Sequence, residues 1–342
     1  MLRPQKLMLS ADAMAEAPAG DLKGLLRREF KNLITWINPA RGYFKILGPA
    51  MPYLELDPQL EHHAGHFIDH YSVENIAQYH RRSGNICWCF EDSWSAFFIL
   101  EQFCNLNPGP LAILHVDDHT DMMPAPVSAR PDGLVNVPLQ ARMHRDDPDT
   151  IAYAIDSGAI GIGNFMTFLY AAFDALHVRH LGNQPPITDG PRGVTIEACT
   201  MSAAQDIDGI KLRQHSDPTV TTGGTFYQHR SAARLLETLP SHMPLVVHID
   251  LDYFMNFFDA GNRAPPSDME EAEIAQAAET KIESLFAALQ AHQSDVALWI
   301  IAFSPGFCPA HHWRRLNDEI VARIEALTAA AAGSTCGQGA SQ

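Results

Sequence analysis

The sequence predicts an α/β protein whose mostly parallel sheet is covered by helices on both faces, a three-layer αβα arrangement. Three observations carry this. Short, continuously apolar runs recur from Ile86 onward, as strands buried on both faces require. Helical patterns of ten or more residues separate several of them, the length a crossover between parallel strands needs. The 342 residues, 46% of them hydrophobic, suffice for a large core.

Residues 1–25 are small, Ala-rich and polar, and read as a flexible N-terminus. Residues 26–85 include Phe44 to Leu56 and a His-rich stretch from Glu61 to His80, and read as an extension or a cap over the site. They belong to a single domain spanning 26–328, since no linker or internal repeat interrupts it. Ile86 to Phe90 is a strand, and Asp92 or Ser93 caps the helix that follows to Phe103. Leu111 to Asp117 is the next strand, followed by a long Pro- and Arg-containing loop. A helix over 148–157 leads through Ala159-Ile160-Gly161-Ile162-Gly163 to another from Asn164; that glycine pair reads as a strand-to-helix turn allowing close packing. Further strands are expected over 193–198, 244–250 and 296–303, with helices over 230–239, 269–292 and 312–327. The Ala, Gly, Ser and Gln of residues 329–342 lack periodicity and read as a flexible tail.

A formal charge of -16 argues against nucleic acid or an anionic membrane as partner and favours a cationic substrate. Six scattered cysteines without CxxC pairing fit reduced, buried residues of a cytoplasmic protein. No apolar stretch is long enough to span a membrane, and Met1 to Leu9 lacks a signal-peptide core.

Two acidic motifs end strands: Asp117-Asp118-His119-Thr120-Asp121 and Asp250-Leu251-Asp252. Side chains two apart on an extended segment point the same way, so Asp117, His119 and Asp121 converge, as do Asp250 and Asp252. Ligands in such sheets bind beyond the carboxyl ends of strands, where both motifs lie. Four carboxylates and an imidazole without thiolate suit a pair of Mn²⁺ or Mg²⁺ ions, with Zn²⁺, Co²⁺ and Fe²⁺ also compatible. Asp117 and Asp250 are placed to bridge the ions, and hydrolysis is the natural reaction of such a centre. The second motif alone also fits a nucleotide-sugar transferase, a phosphatase or simple strand-end capping.

The first motif resembles the DxHxD signature of the arginase/agmatinase ureohydrolases, and His248-Ile249-Asp250-Leu251-Asp252 resembles their second. Through Ile86 to Trp94, Ile160 to Phe165 and Ser304-Pro305-Gly306 the chain is similar to a divergent branch, the UPF0489 family, which includes peptide arginases. The likeness covers roughly residues 85–325 and implies an arginase/deacetylase-like fold and a homo-oligomer. It implies two Mn²⁺ bridged by Asp117 and Asp250, with His119 and Asp252 on one ion and Asp121 on the other. Asp121 would also accept and pass on a proton as the guanidinium of a peptidyl arginine becomes ornithine and urea. The substrate expected is an arginine-containing peptide; a small guanidino compound, or a non-catalytic descendant that binds metal or a partner, is the alternative.

Three departures bear on this. Ser93 stands where the family places a further histidine ligand, so one ion replaces two unless Asp92 or a distant histidine serves. Ala302 stands where small-molecule arginases carry a guanidinium-gripping Glu. Met122-Met123-Pro124 lacks the Asn and Ser groups that recognise a free amino acid's ends, which favours a peptide. Among the other histidines, His144 is the candidate catalytic shuttle, against the plainer reading of a solvated loop residue. His115 and His248 share the parity of Asp117 and Asp250 and fit either supporting hydrogen bonds or core packing. His66 and His70 fit a solvated helical face, and His311-His312 fit capping or surface positions.

Overall fold

The computed structural model describes residues 56–103, 109–130, 133–137, 141–144, 146–185, 188–202, 207–240, 242–292 and 296–336, with the backbone of two earlier strands. The segments expected to be flexible at 1–25 and 337–342 lie outside the described residues.

Strands β1 (Asn32–Asn38) and β2 (Tyr43–Pro49) pair antiparallel. Helices α1 (Leu60–Ala64) and α2 (Val73–Gln78) lead into β3 (His80–Ser83), β4 (Ile86–Cys89) and α3 (Trp94–Phe103). After β5 (Leu111–Val116), the stretch expected as a plain loop forms a small antiparallel sheet. Its strands are β6 (Val127–Arg130), β7 (Gly133–Asn136) and β8 (Ala141–Met143). Helices α4 (Pro148–Asp156) and α5 (Phe165–Ala172) precede β9 (Leu176–Leu181). Next come β10 (Arg192–Ser202), β11 (Ile207–His215), β12 (Gly224–His229) and α6 (Ala232–Leu236). Strand β13 (Leu245–Asp250), α7 (Asp268–Leu289), β14 (Val296–Ala302) and α8 (Trp313–Cys336) complete the chain.

Nine strands form the main sheet in the order β11-β10-β12-β9-β5-β13-β14-β4-β3. The run from β12 to β4 is parallel throughout, and antiparallel strands close both edges. The sheet is therefore mixed, and the strand expected at 193–198 is a longer antiparallel one near the edge. From β5 the chain steps outward to β9 and β12, then returns to place β13 on the other side of β5. That reversal opens a crevice at the carboxyl ends of β5 and β13, the place where open α/β sheets bind ligands.

Alternation along the central strands divides the core in two. Ala112, Leu114, Val116, Val247 and Ile249 pack with Leu235, Ile282, Phe286 and Ile320 of α6, α7 and α8. Leu111, Ile113, Val246 and Ile300 pack on the opposite face with Phe98, Ile155 and Phe168 of α3, α4 and α5. Burying each such side chain contributes roughly 1.5–3 kcal/mol. The arrangement is α/β with helices on both faces, compatible with three layers. Local chemistry fixes the helix starts: Asp147 accepts from Asp149 N ahead of Pro148, and Ser267 with Glu270 closes a reciprocal capping box.

Several expectations shift. Helix α8 continues to Cys336, through part of the expected tail. The helix expected over 230–239 is confined to Ala232–Leu236. Of the extension or cap expected over 26–85, residues 56–85 do not line the crevice: α1 and α2 pack into the core and β3 adds an edge to the sheet. Strand β9 carries His177, Arg179 and His180 and so escapes an apolar pattern, yet Arg179 is buried. Its guanidinium donates to Thr238 Oγ1 and Thr238 O, both at 2.7 Å, and to Thr225 Oγ1 at 3.1 Å. Among the described residues, no helix is long and apolar enough to cross a membrane.

Candidate metal centre

The crevice is a cavity of about 450 Å³ at the carboxyl ends of β4, β5, β13 and β14. All five residues of the two acidic motifs expected to bind metal line it: Asp117, His119, Asp121, Asp250 and Asp252. Register explains their meeting. His115 and Val116 of β5 lie opposite His248 and Ile249 of β13, so the next residue of each strand, Asp117 and Asp250, emerges side by side.

Two ligand groups take shape around these carboxylates. Oxygens and nitrogens of Asp117, His119 and Asp252 lie within 4.8 Å of one another, and so do those of Asp92, Asp117 and Asp250. His119 Nδ1 stands 3.0 Å from Asp252 Oδ2, while its Nε2 stands 3.1 Å from Asp259 Oδ1. Asp117 belongs to both groups, and to a third with His115 and His248. Asp121 takes a left-handed backbone (φ 51°), a conformation that non-glycine residues hold only where the surroundings impose it. That turn brings its Oδ2 to 3.3 Å from His115 Nε2.

The position beside Ser93 resolves in a specific way. Ser93 is wholly buried and does not line the cavity; Asp92, one residue earlier in the turn between β4 and α3, does. No histidine from a distant segment takes the place among the described lining residues. A carboxylate, that of Asp92, stands at the cavity there.

Orphaned atoms supply the test of fit. Asp92 Oδ1 and Asp117 Oδ2 are buried and complete no hydrogen bond, and Asp121 Oδ2 has only His115 Nε2, at 3.3 Å. Unpaired buried carboxylate oxygens cost several kcal/mol unless a cation compensates them. The electrostatics agree. Burial first, then neighbouring carboxylates, drive Asp92, Asp117 and Asp250 well above the usual carboxylate range. His119 is raised to about 12, burial being outweighed by its bonds to Asp117 and Asp252. A donor set of oxygens with one or two imidazoles and no thiolate fits hard divalent ions. The residues present can hold a metal.

Beneath the carboxylates, His180, His115 and His248 lie in register across β9, β5 and β13, all buried. His115 Nδ1 is 2.9 Å from His248 Nδ1, and His180 Nε2 is 3.0 Å from the carbonyl oxygen of Asp117. Burial holds His180 down at about 3 and His248 well below its ordinary value. The shared parity of His115 and His248 with the motifs puts both buried beneath the carboxylates, with His115 Nε2 3.5 Å from Asp117 Oδ2.

Other expectations fall elsewhere. His144 is not brought to the cavity; it is exposed at the end of β8, where Thr150 Oγ1 accepts from its backbone N–H. It borders a separate depression with Leu100, Ile151 and Phe168, so the catalytic role assigned to it has no geometric support. Ala302 ends β14, and Ser304 beyond it lines the cavity, also with positive φ (56°). The glycine segment joins α4 to α5 and not a strand to a helix, but its close packing is present: a Cβ on Gly163 would stand 2.9 Å from Met123 Sδ. Glu91 and Asp259 are cavity residues that sequence spacing did not reveal. Glu91 was signalled only by its adjacency to Asp92, and Asp259 by nothing local. With them, seven acidic residues and no Lys or Arg line the cavity among the described residues, beside apolar walls from Phe90, Met123, Ile162, Pro305 and Phe307.

No protein-family model matches the chain, and no curated protein matches it.

Proposed function

We propose that the chain is a metal-dependent hydrolase of arginase/deacetylase-like fold that cleaves the guanidinium of a peptidyl arginine into ornithine and urea. The observation that carries this reading is the cavity itself: buried, unsatisfied carboxylates at its floor, acidic groups around it and apolar walls between. The likeness of the two motifs to ureohydrolase signatures supports it. Asp92, Asp117, Asp121 and Asp250 would hold one ion, and Asp117, His119, Asp250 and Asp252 the other. Mn²⁺ is the ion proposed. Such a pair, when bound, supplies a nucleophilic water at neutral pH and polarises the group attacked.

The remaining work falls to side chains of this chain. Glu91 and Asp259 offer negative charge to the cationic head, taking the part that Ala302 cannot. Phe307, Phe90 and Met123 flank the methylene stem of an arginine. Asp121 is held below the usual range because the bond and charge of His115, with His119 and His248, outweigh burial. It is therefore ionised at neutral pH, and in this reading it is the group that would accept a proton from water and deliver it to the departing amine. The bond between the guanidinium carbon and the side-chain nitrogen breaks, the water oxygen stays on the carbon as urea, and the proton leaves with ornithine.

The test is mass spectrometry of arginine-containing peptides incubated with Mn²⁺-loaded protein, alongside free arginine and agmatine. The expected result is loss of CH₂N₂ per converted arginine, with one urea released. Urea from the free compounds alone would move the substrate to small guanidino molecules, and no urea from any of them would end the hydrolase reading.

A further inference from the structure

Outside the cavity, three ligand-bearing side chains converge at the junction of α7 and α8. Glu271 lies in the first turn of α7; His311 and His312 lie in the 3-10 turn Ala310–His312 that opens α8. His311 Nε2 stands 2.7 Å and His312 Nε2 2.8 Å from the same oxygen, Glu271 Oε1. Adjacent side chains on a helical turn normally diverge. Here the two rings are drawn together, with centroids 4.2 Å apart, and both present the same nitrogen to one point. His63 of α1 faces the group, its ring 6.2 Å from that of His311, with His62 and His66 beside it. None of these residues lines the acidic cavity.

We propose that Glu271, His311 and His312 form a second, separate metal site, with His63 the nearest imidazole for the fourth position. The chemistry of the donors differs from that of the cavity. Two imidazoles and one carboxylate, with another imidazole in reach, match borderline ions of the Zn²⁺, Ni²⁺ and Co²⁺ class rather than Mn²⁺ or Mg²⁺. The three donor atoms lie within 4.8 Å of one another. Small outward shifts accommodate an ion, since a metal bond of about 2.0–2.2 Å sets its ligands slightly further apart than a hydrogen bond does. His311 Nδ1 is buried without a partner, so the ring is held by its Nε2 side alone.

The position gives the site a structural consequence. Ser304, Pro305 and Phe307, in the segment just before His311, form one wall of the acidic cavity. Asp57 Oδ2 already accepts from Ala310 N at 2.7 Å. An ion on Glu271 and the two histidines would clamp that segment to α7, and so fix the wall.

The experiment is Co²⁺ titration read by visible ligand-field absorption and by metal stoichiometry, with Zn²⁺ as competitor. The Asp117→Asn/Asp250→Asn variant, disabled in the cavity, should still bind one Co²⁺ with the absorption of a low-coordinate, nitrogen-containing site. Adding His311→Ala and His312→Ala should abolish it. Glu271→Gln, nearly isosteric, guards against misfolding: in the otherwise unaltered chain it should weaken that Co²⁺ by about 10-fold or more. Loss of all Co²⁺ from the cavity variant, or undiminished Co²⁺ affinity in Glu271→Gln, overturns the proposal. Neither outcome depends on hydrolysis.

Discussion

Asp117 and Asp118 are neighbours in one motif, and the protein treats them in opposite ways. Asp118 turns away from the cavity into a ring of donors. Its Oδ1 accepts from Asn183 Nδ2 at 2.9 Å and its Oδ2 from Asn256 Nδ2 at 3.0 Å, with Arg263 Nη2 at 3.5 Å. Lys281, which donates to Asn183 Oδ1 at 2.8 Å, completes the surroundings. Asp117 turns inward among carboxylates, and its Oδ2 finds no hydrogen bond. Asp118 has both oxygens cradled, whereas Asp117 has only Oδ1 satisfied, by the backbone N–H of His119 at 2.6 Å. The difference separates the acid that holds the loop from the one that belongs to the groups able to hold a cation.

The largest effect that could break this contrast comes from Asp250. Asp250→Asn removes a carboxylate shared by the Asp92 group, and is expected to cost at least ~10²-fold in metal affinity, read by competition with a chelator. The metal-free protein should respond in the other direction. Burial, then Asp252, raises the folded-state value of Asp250 above the ordinary 3.8. Its contribution to stability is therefore full below pH 3.8 and is lost as pH rises through the raised value. Metal-free Asp250→Asn should lose less stability than the unaltered chain across that rise, measured by denaturant unfolding at a series of pH values. An equal slope for both proteins would mean that Asp250 is compensated without a metal.

Next in size is Asp92→Ala, expected to lose one of two bound ions by elemental analysis while His119, Asp117 and Asp252 keep the other. Retention of both would remove Asp92 from the ligand set. Smaller again, and of different kind, is Asp118→Asn. It should lower unfolding stability by about 1–3 kcal/mol through its donors left unmatched, and leave metal stoichiometry unchanged. A stoichiometric loss there would erase the distinction between the two neighbours.

What was legible in the sequence follows the same division. Asp117 and Asp250 were readable because a strand end settles where a side chain points. His119, Asp121 and Asp252 also line the cavity, but through a bent segment with Asp121 at φ 51° and the 3-10 turn Leu251–Tyr253, not the extended two-residue period expected. The layers were readable because buried parallel strands are apolar throughout. Strand β9 was not, because Arg179 sits inside the fold on bonds to Thr238 and Thr225 that no local pattern announces. His144 was readable either as a catalytic shuttle or as a solvated loop residue, and the end of β8 places it at the surface. Asp259 reaches His119 from 140 positions along the chain, a contact only tertiary structure creates. Asp92 and Ser93 were both readable as occupants of one place, and spacing alone could not choose between them.

Ser93→Ala decides that choice with the smallest expected effect. The Ser93 hydroxyl is buried and completes no hydrogen bond, so removing it deletes a desolvated polar group and little else. Such a deletion is expected to leave stability unchanged or raise it by up to about 1 kcal/mol, since a buried unsatisfied group is a cost carried by the folded state. Metal stoichiometry and affinity should match those of the unaltered chain, because Asp92, not Ser93, faces the cavity. If Ser93→Ala instead releases an ion while Asp92→Ala retains both, the hydroxyl is the ligand and the carboxylate beside it is not. The site would then be poorer by one charge, and the contrast between partly satisfied and cradled acids would have to be drawn without Asp92.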